Sequence, residues 1–225
     1  MQTGKGQVLE LILEDGHRHV RLACPPNLIP SPGQYLLASD GSDAPLPVPL
    51  FYTNSAPQGF IAAMRQPNSW NPGLALSLRG PLGRGFTLPL TARKVGLIAF
   101  DATAARLKGL IQPALRQEAA VVLVCARAPE NIPDDVEVQP LSALRENVER
   151  ADYVAFEVAR ENLNQLRERL GKGNQAPVGI EMQVLVRTPV PCGGMADCGV
   201  CAVRLGSDSK LACKDGPVFD WKEVG

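Results

Sequence analysis

Four of the chain's six cysteines lie in one short stretch, "PCGGMADCGVCAVRLGSDSKLACKDG", residues 191–216. Cys192, Cys198, Cys201 and Cys213 follow the spacing C-x5-C-x2-C-x11-C. Thiols at this density act as soft metal ligands or pair as disulfides. A cluster of two irons and two bridging sulfides takes four thiolates, two per iron. Its plant-type spacing is C-x4-C-x2-C with a distant fourth cysteine, one residue shorter in the first loop than here. Gly193, Gly194 and Gly199 fit a backbone that approaches such a cluster closely with positive φ. Their N–H groups are then expected to donate to sulfur, which raises the reduction potential. A structural zinc site also uses four cysteines, but it usually presents two C-x2-C knuckles, and this segment has one. Two disulfides need an oxidising compartment. Spacing favours the iron–sulfur cluster and leaves zinc as its competitor.

The remaining composition sets bounds on what surrounds this segment. A chain of 225 residues holds one large or two modest domains. With 45% hydrophobic and 20% charged residues it reads as an ordinary globular protein. Lys plus Arg equals Asp plus Glu at 23 each, so no basic excess recruits nucleic acid or an anionic membrane. The longest apolar runs, "VGLIAF" and "AAVVLVCA", are too short to span a bilayer, so no membrane insertion is expected. The N-terminus, "MQTGKGQVLELILEDG", lacks the apolar core of a signal peptide, and a cytoplasmic location is the expectation. Cys24 and Cys125 stand far apart in apolar surroundings.

The elements that must position the cysteines fall into three segments. Residues 1–91 read as short strands ("QVLELILE", "HVRLA", "QYLLA", "FIAAM", "LALSLR") punctuated by "SPGQ" and "NPG" turns, a pattern that predicts a β-barrel or sandwich. Residues 92–186 alternate strand and helix. "KVGLIAF", "AVVLVCA", "DYVAFEV" and "GIEMQVLVR" read as strands, and "ATAARLKGLIQPALRQ", "SALRENVER" and "RENLNQLRERL" as helices, which predicts a parallel sheet covered on both faces. Residues 187–225 carry neither pattern and are expected to be a loop-rich cap organised by something other than a hydrophobic core. His17 and His19 read as solvated, "PDDVE" as a solvent-facing loop, and no catalytic side-chain constellation stands out.

"PCGGMADCGVCAV" followed by "LACKDGPVF" resembles the C-terminal domain of the electron-transfer subunit of type B dihydroorotate dehydrogenase, an enzyme of pyrimidine biosynthesis. "CKDGPVF", Cys213 to Phe219, matches that family's ending, which zinc binding does not call for. "SPGQYLLA" and "LRGPLGRGFTL" resemble the barrel signatures of the wider ferredoxin-reductase superfamily. The resemblance implies a flavin-binding β-barrel over 1–91, a nucleotide-binding α/β domain over 92–186 and a 2Fe–2S domain over 187–225. It also implies Cys192, Cys198, Cys201 and Cys213 as cluster ligands, and a hetero-oligomer with a catalytic flavoprotein partner. Tyr52, Thr53, Gly80, Gly83 and Gly85 become candidate FAD contacts.

The departures from the family's pattern matter as much. The segment that should carry a pyrophosphate-pairing arginine reads "PLPVPLFYTNS", with Val48 or Leu50 in its place. The second phosphate element reads "AAMRQPNSWNPG", without a glycine pair, leaving Arg65 or Ser69 to compensate. The nicotinamide loop is missing too: no glycine lies between Phe100 and Lys108, and Asp101 is expected as an N-cap of the following helix. An iron–sulfur relay without its own NAD(P)H site is the leading expectation. The alternatives are a complete FAD-containing NAD(P)H reductase subunit with altered phosphate contacts, and a zinc-stabilised scaffold or binding module.

Overall fold

The computed structural model describes residues 2–14, 17–42, 46–64, 70–101, 104–171, 179–206 and 208–224. Six strands form a closed antiparallel barrel in the order β1-β2-β5-β4-β3-β6: β1 (Gln2–Glu14), β2 (His17–Ala23), β3 (Tyr35–Ser39), β4 (Val48–Ala56), β5 (Gly59–Met64) and β6 (Ala75–Leu82). Two-residue periodicity sends Val20, Leu22, Leu36, Leu50, Phe60, Ala62, Leu76 and Leu78 into its core. His19 departs from expectation. It is buried on the opposite face of β2, with Nε2 3.9 Å from Glu14. Glu14 also receives Lys108 Nζ and Asn131 Nδ2, each at 3.0 Å, and so ties the barrel to its neighbour.

The second unit comprises β7 (Lys94–Ala99), α1 (Lys108–Arg116), β8 (Ala120–Cys125), β9 (Val136–Gln139), α2 (Leu144–Arg150), β10 (Tyr153–Ala159), α3 (Leu163–Leu170) and β11 (Glu181–Arg187). The chain continues through β12 (Ala202–Leu205), β13 (Asp208–Leu211), β14 (Val218–Asp220) and α4 (Trp221–Val224). The sheet order is β14-β11-β10-β7-β8-β9, parallel throughout except for β14, which pairs antiparallel with β11. Leu97, Leu123 and Leu185 pack on one face with Leu110 and Ile111 of α1. Ile98, Val154, Phe156 and Val184 pack on the other with α2, α3 and the C-terminal segment. The barrel plus parallel-sheet architecture is the one the sequence predicts.

Three local expectations need correction. Helical spacing runs through "ATAARLKGLIQPALRQ", yet α1 begins only at Lys108. Residues 105–107 form a turn instead, and Arg106 reaches inward to the buried Glu157 of β10 at 2.7 Å. Asp101 is not the helix N-cap. The N-cap position is Leu107, which makes no side-chain capping bond. The Asp101 carboxylate instead accepts from the Ala159 N–H at 2.7 Å and from Asn162 Nδ2 at 3.1 Å, and it pairs with Arg187. "PDDVE" is not wholly loop either, since Val136 and Glu137 open edge strand β9 and Val136 is buried.

The C-terminal segment also has a hydrophobic core after all. Val203, Leu205, Ala212, Phe219, Trp221 and Val224 are buried and join the sheet's own core, with Trp221 packed on Phe156 at 5.0 Å between ring centroids. Its short strands hide this from any periodicity test, because four residues are too few to display an alternation.

Candidate metal centre

Each expected ligand is placed by a nearby element. Cys201 directly precedes β12 and Cys213 closely follows β13. The hairpin pairs Ala202 with Leu211, and the Ala212 N–H donates to the Cys201 carbonyl at 3.0 Å. The eleven-residue spacer is therefore a hairpin that brings both cysteines to its open end, with their sulfurs 3.2 Å apart. Both are buried. Cys192 and Cys198 lie in the preceding loop, half-buried and exposed respectively. The Cys192 sulfur accepts hydrogen bonds from the Cys198 thiol and from the N–H groups of Asp197, Cys198 and Met195. All six cysteines are free thiols.

These surroundings split the thiols electrostatically. Desolvation works to raise Cys192, but its hydrogen bonds outweigh it and hold the thiol down at about 6. Cys213 is pushed up to about 12, first by burial and then by Cys201 and Cys192, against one opposing hydrogen bond from the Ala196 N–H. The backbone donors to sulfur are thus Met195, Ala196, Asp197 and Cys198, where the sequence reading named the glycines. The Gly193 N–H goes to Val190 O at 3.2 Å. Gly193 and Gly194 (φ +61° and +72°) serve a different close approach. A Cβ would lie 3.2 Å from Pro47 on the first and 3.1 Å from the Tyr35 hydroxyl on the second, so side chains there would crowd the loop against the barrel as well as strain its backbone.

Three side chains grip the cysteine segment from outside, two of them, Tyr35 and Arg79, within the barrel stretches "SPGQYLLA" and "LRGPLGRGFTL". Arg79 of β6 donates Nη2 to the Gly193 carbonyl and approaches Met195 Sδ at 3.5 Å with Nη1. Arg160, just beyond β10, donates to the carbonyls of Val200 at 2.6 Å and Ala202 at 3.1 Å. Tyr35 of β3 donates its buried hydroxyl to the Cys213 carbonyl at 3.4 Å. Burial raises the Tyr35 phenol well above its ordinary range, and the thiols of Cys213, Cys201 and Cys192 add to the effect.

Among the described residues no three His, Cys, Asp or Glu side chains converge on one point. The cysteines form two pairs instead, Cys192 with Cys198 and Cys201 with Cys213. A tetrahedral zinc draws four donors to one centre at about 2.3 Å. A two-iron cluster takes two thiolates at each iron, and the paired donor set fits it.

The candidate flavin residues are dispersed. The Tyr52 ring stacks on Phe60 (centroids 6.0 Å apart) and lies so near Gly109 of α1 that a Cβ there would be 2.8 Å from it. Thr53 is buried, with Oγ1 donating to Ile61 O at 2.9 Å. Gly80 abuts Leu36 and Gly85 abuts the Pro32 carbonyl. Gly83 (φ +75°) faces Pro217 and the Gly216 carbonyl, to which the Arg84 N–H donates. "GPLGRGF" thus meets the "GPVF" ending. Arg65 and Ser69 lie outside the described residues.

A separate cleft of about 610 Å³ opens between the barrel and the sheet, lined by Val48, Pro49, Phe51, Met64, Arg106 and Arg187 among others. None of the five candidate flavin residues lines it. Arg106 stacks over the Phe51 ring at 4.5 Å. Beside it, at the switch point between β7 and β10 where open α/β sheets receive ligands, the groups present already pair with one another. Arg187 pairs with Asp101 and lies 3.5 Å from Glu157, which also holds Arg106. Burial raises the Glu157 carboxyl, opposed by Arg106.

Residues 192–225 match the family model described as the iron-sulfur cluster binding domain of dihydroorotate dehydrogenase B. No curated protein sequence matches the chain. Among solved structures, the NADH-dependent reduced ferredoxin-NADP oxidoreductase studied for flavin-based electron bifurcation superposes with a TM-score of 0.73 at 14% identity, covering 98% of this chain and 89% of that one. The ferredoxin reductase of carbazole 1,9a-dioxygenase gives 0.62 at 19% identity, covering 80% of this chain and 68% of that one. Phthalate dioxygenase reductase gives 0.54 at 13% identity, covering 84% and 70%. The fold is therefore ferredoxin-reductase-like, and the C-terminal segment is an iron–sulfur cluster binding domain of the dihydroorotate dehydrogenase B type. That suits an electron-transfer role and disfavours the zinc scaffold.

Proposed function

We propose that the chain relays single electrons through a 2Fe–2S cluster held by Cys192, Cys198, Cys201 and Cys213, to or from a catalytic flavoprotein with which it forms a hetero-oligomer. The observation that carries this reading is the division of the four thiols into two pairs, each suited to one iron. When bound, the cluster supplies a one-electron store. The chain's own residues orient it: Arg79 and Arg160 hold the loop carbonyls, while the N–H groups of Met195, Ala196, Asp197 and Cys198 lie ready to donate to sulfur. The free thiols fit a reducing cytoplasm, and no helix among the described residues is long and apolar enough to cross a membrane.

In this reading the chain has no NAD(P)H site of its own. The nicotinamide glycine loop is missing from the sequence, and the Asp101–Arg187–Glu157–Arg106 network uses the cations a pyrophosphate would need. A second reading, a complete FAD-containing reductase subunit, is favoured by the cleft beside Phe51 and Arg106. One experiment separates them. The anaerobically purified full chain is assayed for acid-released flavin and mixed with NADH or NADPH while its visible spectrum is followed. The relay predicts a brown protein without flavin, bleached by dithionite and indifferent to either nucleotide. Stoichiometric FAD with bleaching by NADH establishes the second reading.

A further inference from the structure

Arg79 is where the barrel takes hold of the cysteine loop, through the Gly193 carbonyl and Met195 Sδ. Its charge differs in setting from that of Arg160, the other arginine on the loop. Glu161 lies 3.6 Å from Arg160, whereas no carboxylate among the described residues comes within salt-bridge distance of Arg79. Gly193, whose carbonyl Arg79 holds, directly follows Cys192, and a Cβ on Gly194 would lie 3.1 Å from the Tyr35 hydroxyl that bonds the Cys213 carbonyl, so Arg79 sits in the same neighbourhood as the cysteine segment. Tyr35 itself donates to the Cys213 carbonyl at 3.4 Å, close enough to link the barrel wall to the hairpin end.

We infer that Arg79 sets the reduction potential of the iron–sulfur centre, so that the barrel tunes the C-terminal domain by charge as well as fastening it. The inference rests on the ligand reading above. An iron–sulfur centre with four thiolates is already anionic, and reduction adds one electron without making or breaking a bond. A nearby cation therefore stabilises the reduced form more than the oxidised one. Arg79 is half-buried, so solvent screens part of this effect. At an effective dielectric of about 20, over about 6–10 Å and damped by a Debye length of about 8–10 Å, one charge shifts such an equilibrium roughly three- to tenfold. Tenfold corresponds to about 59 mV for a one-electron couple. Arg79 acts here as a positioning and tuning residue that touches the loop rather than the metal.

The test is an anaerobic dithionite titration of the full chain, monitored by visible and electron paramagnetic resonance spectra, for wild type, R79Q, R79K and R160Q, each with its iron content measured. R79Q is expected to titrate at lower potential by the three- to tenfold equivalent. R79K, which keeps the charge, and R160Q, which loses loop hydrogen bonds at a compensated site, are expected to move less than half as far. R79Q titrating with wild type, or R160Q moving as far as R79Q, overturns the inference. If R79Q loads no iron, R79H takes its place: its potential is expected to fall as pH rises through the imidazole range while wild type stays flat. A pH-independent R79H overturns the inference equally. A wild-type chain that binds no iron overturns the ligand reading and this inference together, whereas loaded wild type with unmoved variants overturns the inference alone.

Discussion

Gly83→Ala separates two roles for the glycine-rich stretch that closes the barrel. At φ +75°, an alanine pays about 1–2 kcal/mol for the left-handed backbone alone. Its Cβ would also lie 2.6 Å from Pro217 Cδ and 2.8 Å from the Gly216 carbonyl oxygen, and the second is backbone that cannot rotate away. Overpacking of this kind adds about 1–3 kcal/mol. The sum, about 3 kcal/mol, should lower the melting temperature by roughly 6–12 °C in a chain of this size. Gly73→Ala is the matched control. It has φ +91° with nothing within 4 Å of a Cβ, so it pays the backbone part only. Calorimetry of both variants, with iron and flavin assayed before heating, gives the answer. Gly83→Ala melting within about 2 °C of Gly73→Ala would refute the packing argument. Loss of bound flavin at unchanged stability would support Gly83 as a flavin contact.

Other consequences are as direct. Cys201→Ser should abolish the visible spectrum and speed amide exchange over 191–216, because metal-binding energy at such a site is folding energy. A variant with the wild-type spectrum removes Cys201 from the ligand set. Glu157→Ala should destabilise the chain by about 3–5 kcal/mol in urea unfolding, since it leaves Arg106 and Arg187 short of a fully buried counter-charge. A loss below about 1 kcal/mol would mean the network contributes little. Burial raises the Cys24 thiol to about 11. Its folded pKa therefore lies above the unfolded one, so the stability linked to this thiol is full below the ordinary range and is lost as pH rises through about 11. Peptide-mapped alkylation should find the half-buried Cys24 slower to react at neutral pH than the exposed Cys198, and labelling at an equal rate contradicts the raised pKa.

The barrel and sheet were legible because their strands carry long enough patterns. "QVLELILE" alternates, "KVGLIAF" and "DYVAFEV" are continuous, and each becomes a strand within a few residues of expectation. The proposed ligand set could be read from spacing, since the C-x2-C and the distant fourth cysteine need only local turns and one hairpin. What holds those cysteines was not. Arg79 and Arg160 reach the loop from 114 and 40 residues away in sequence, and an arginine within a barrel strand or just beyond a sheet strand looks like any solvated cation. The helix start at Lys108 was hidden by a tertiary contact, the turn of Arg106 toward Glu157, that overrides a favourable periodic stretch. His19 reads as solvated because it flanks Arg18 in what looks like a polar turn, whereas the stretch is strand β2 and His19 is buried on it.

In the proposed relay, two thiol pairs hold two irons. The most direct test quantifies iron, acid-labile sulfide and zinc in the anaerobically purified full chain, and records its electron paramagnetic resonance spectrum before and after dithionite. A 2Fe–2S relay gives two irons and two sulfides per chain, silent when oxidised and showing one unpaired spin when reduced. One zinc per chain, without sulfide and without a signal on reduction, would contradict it.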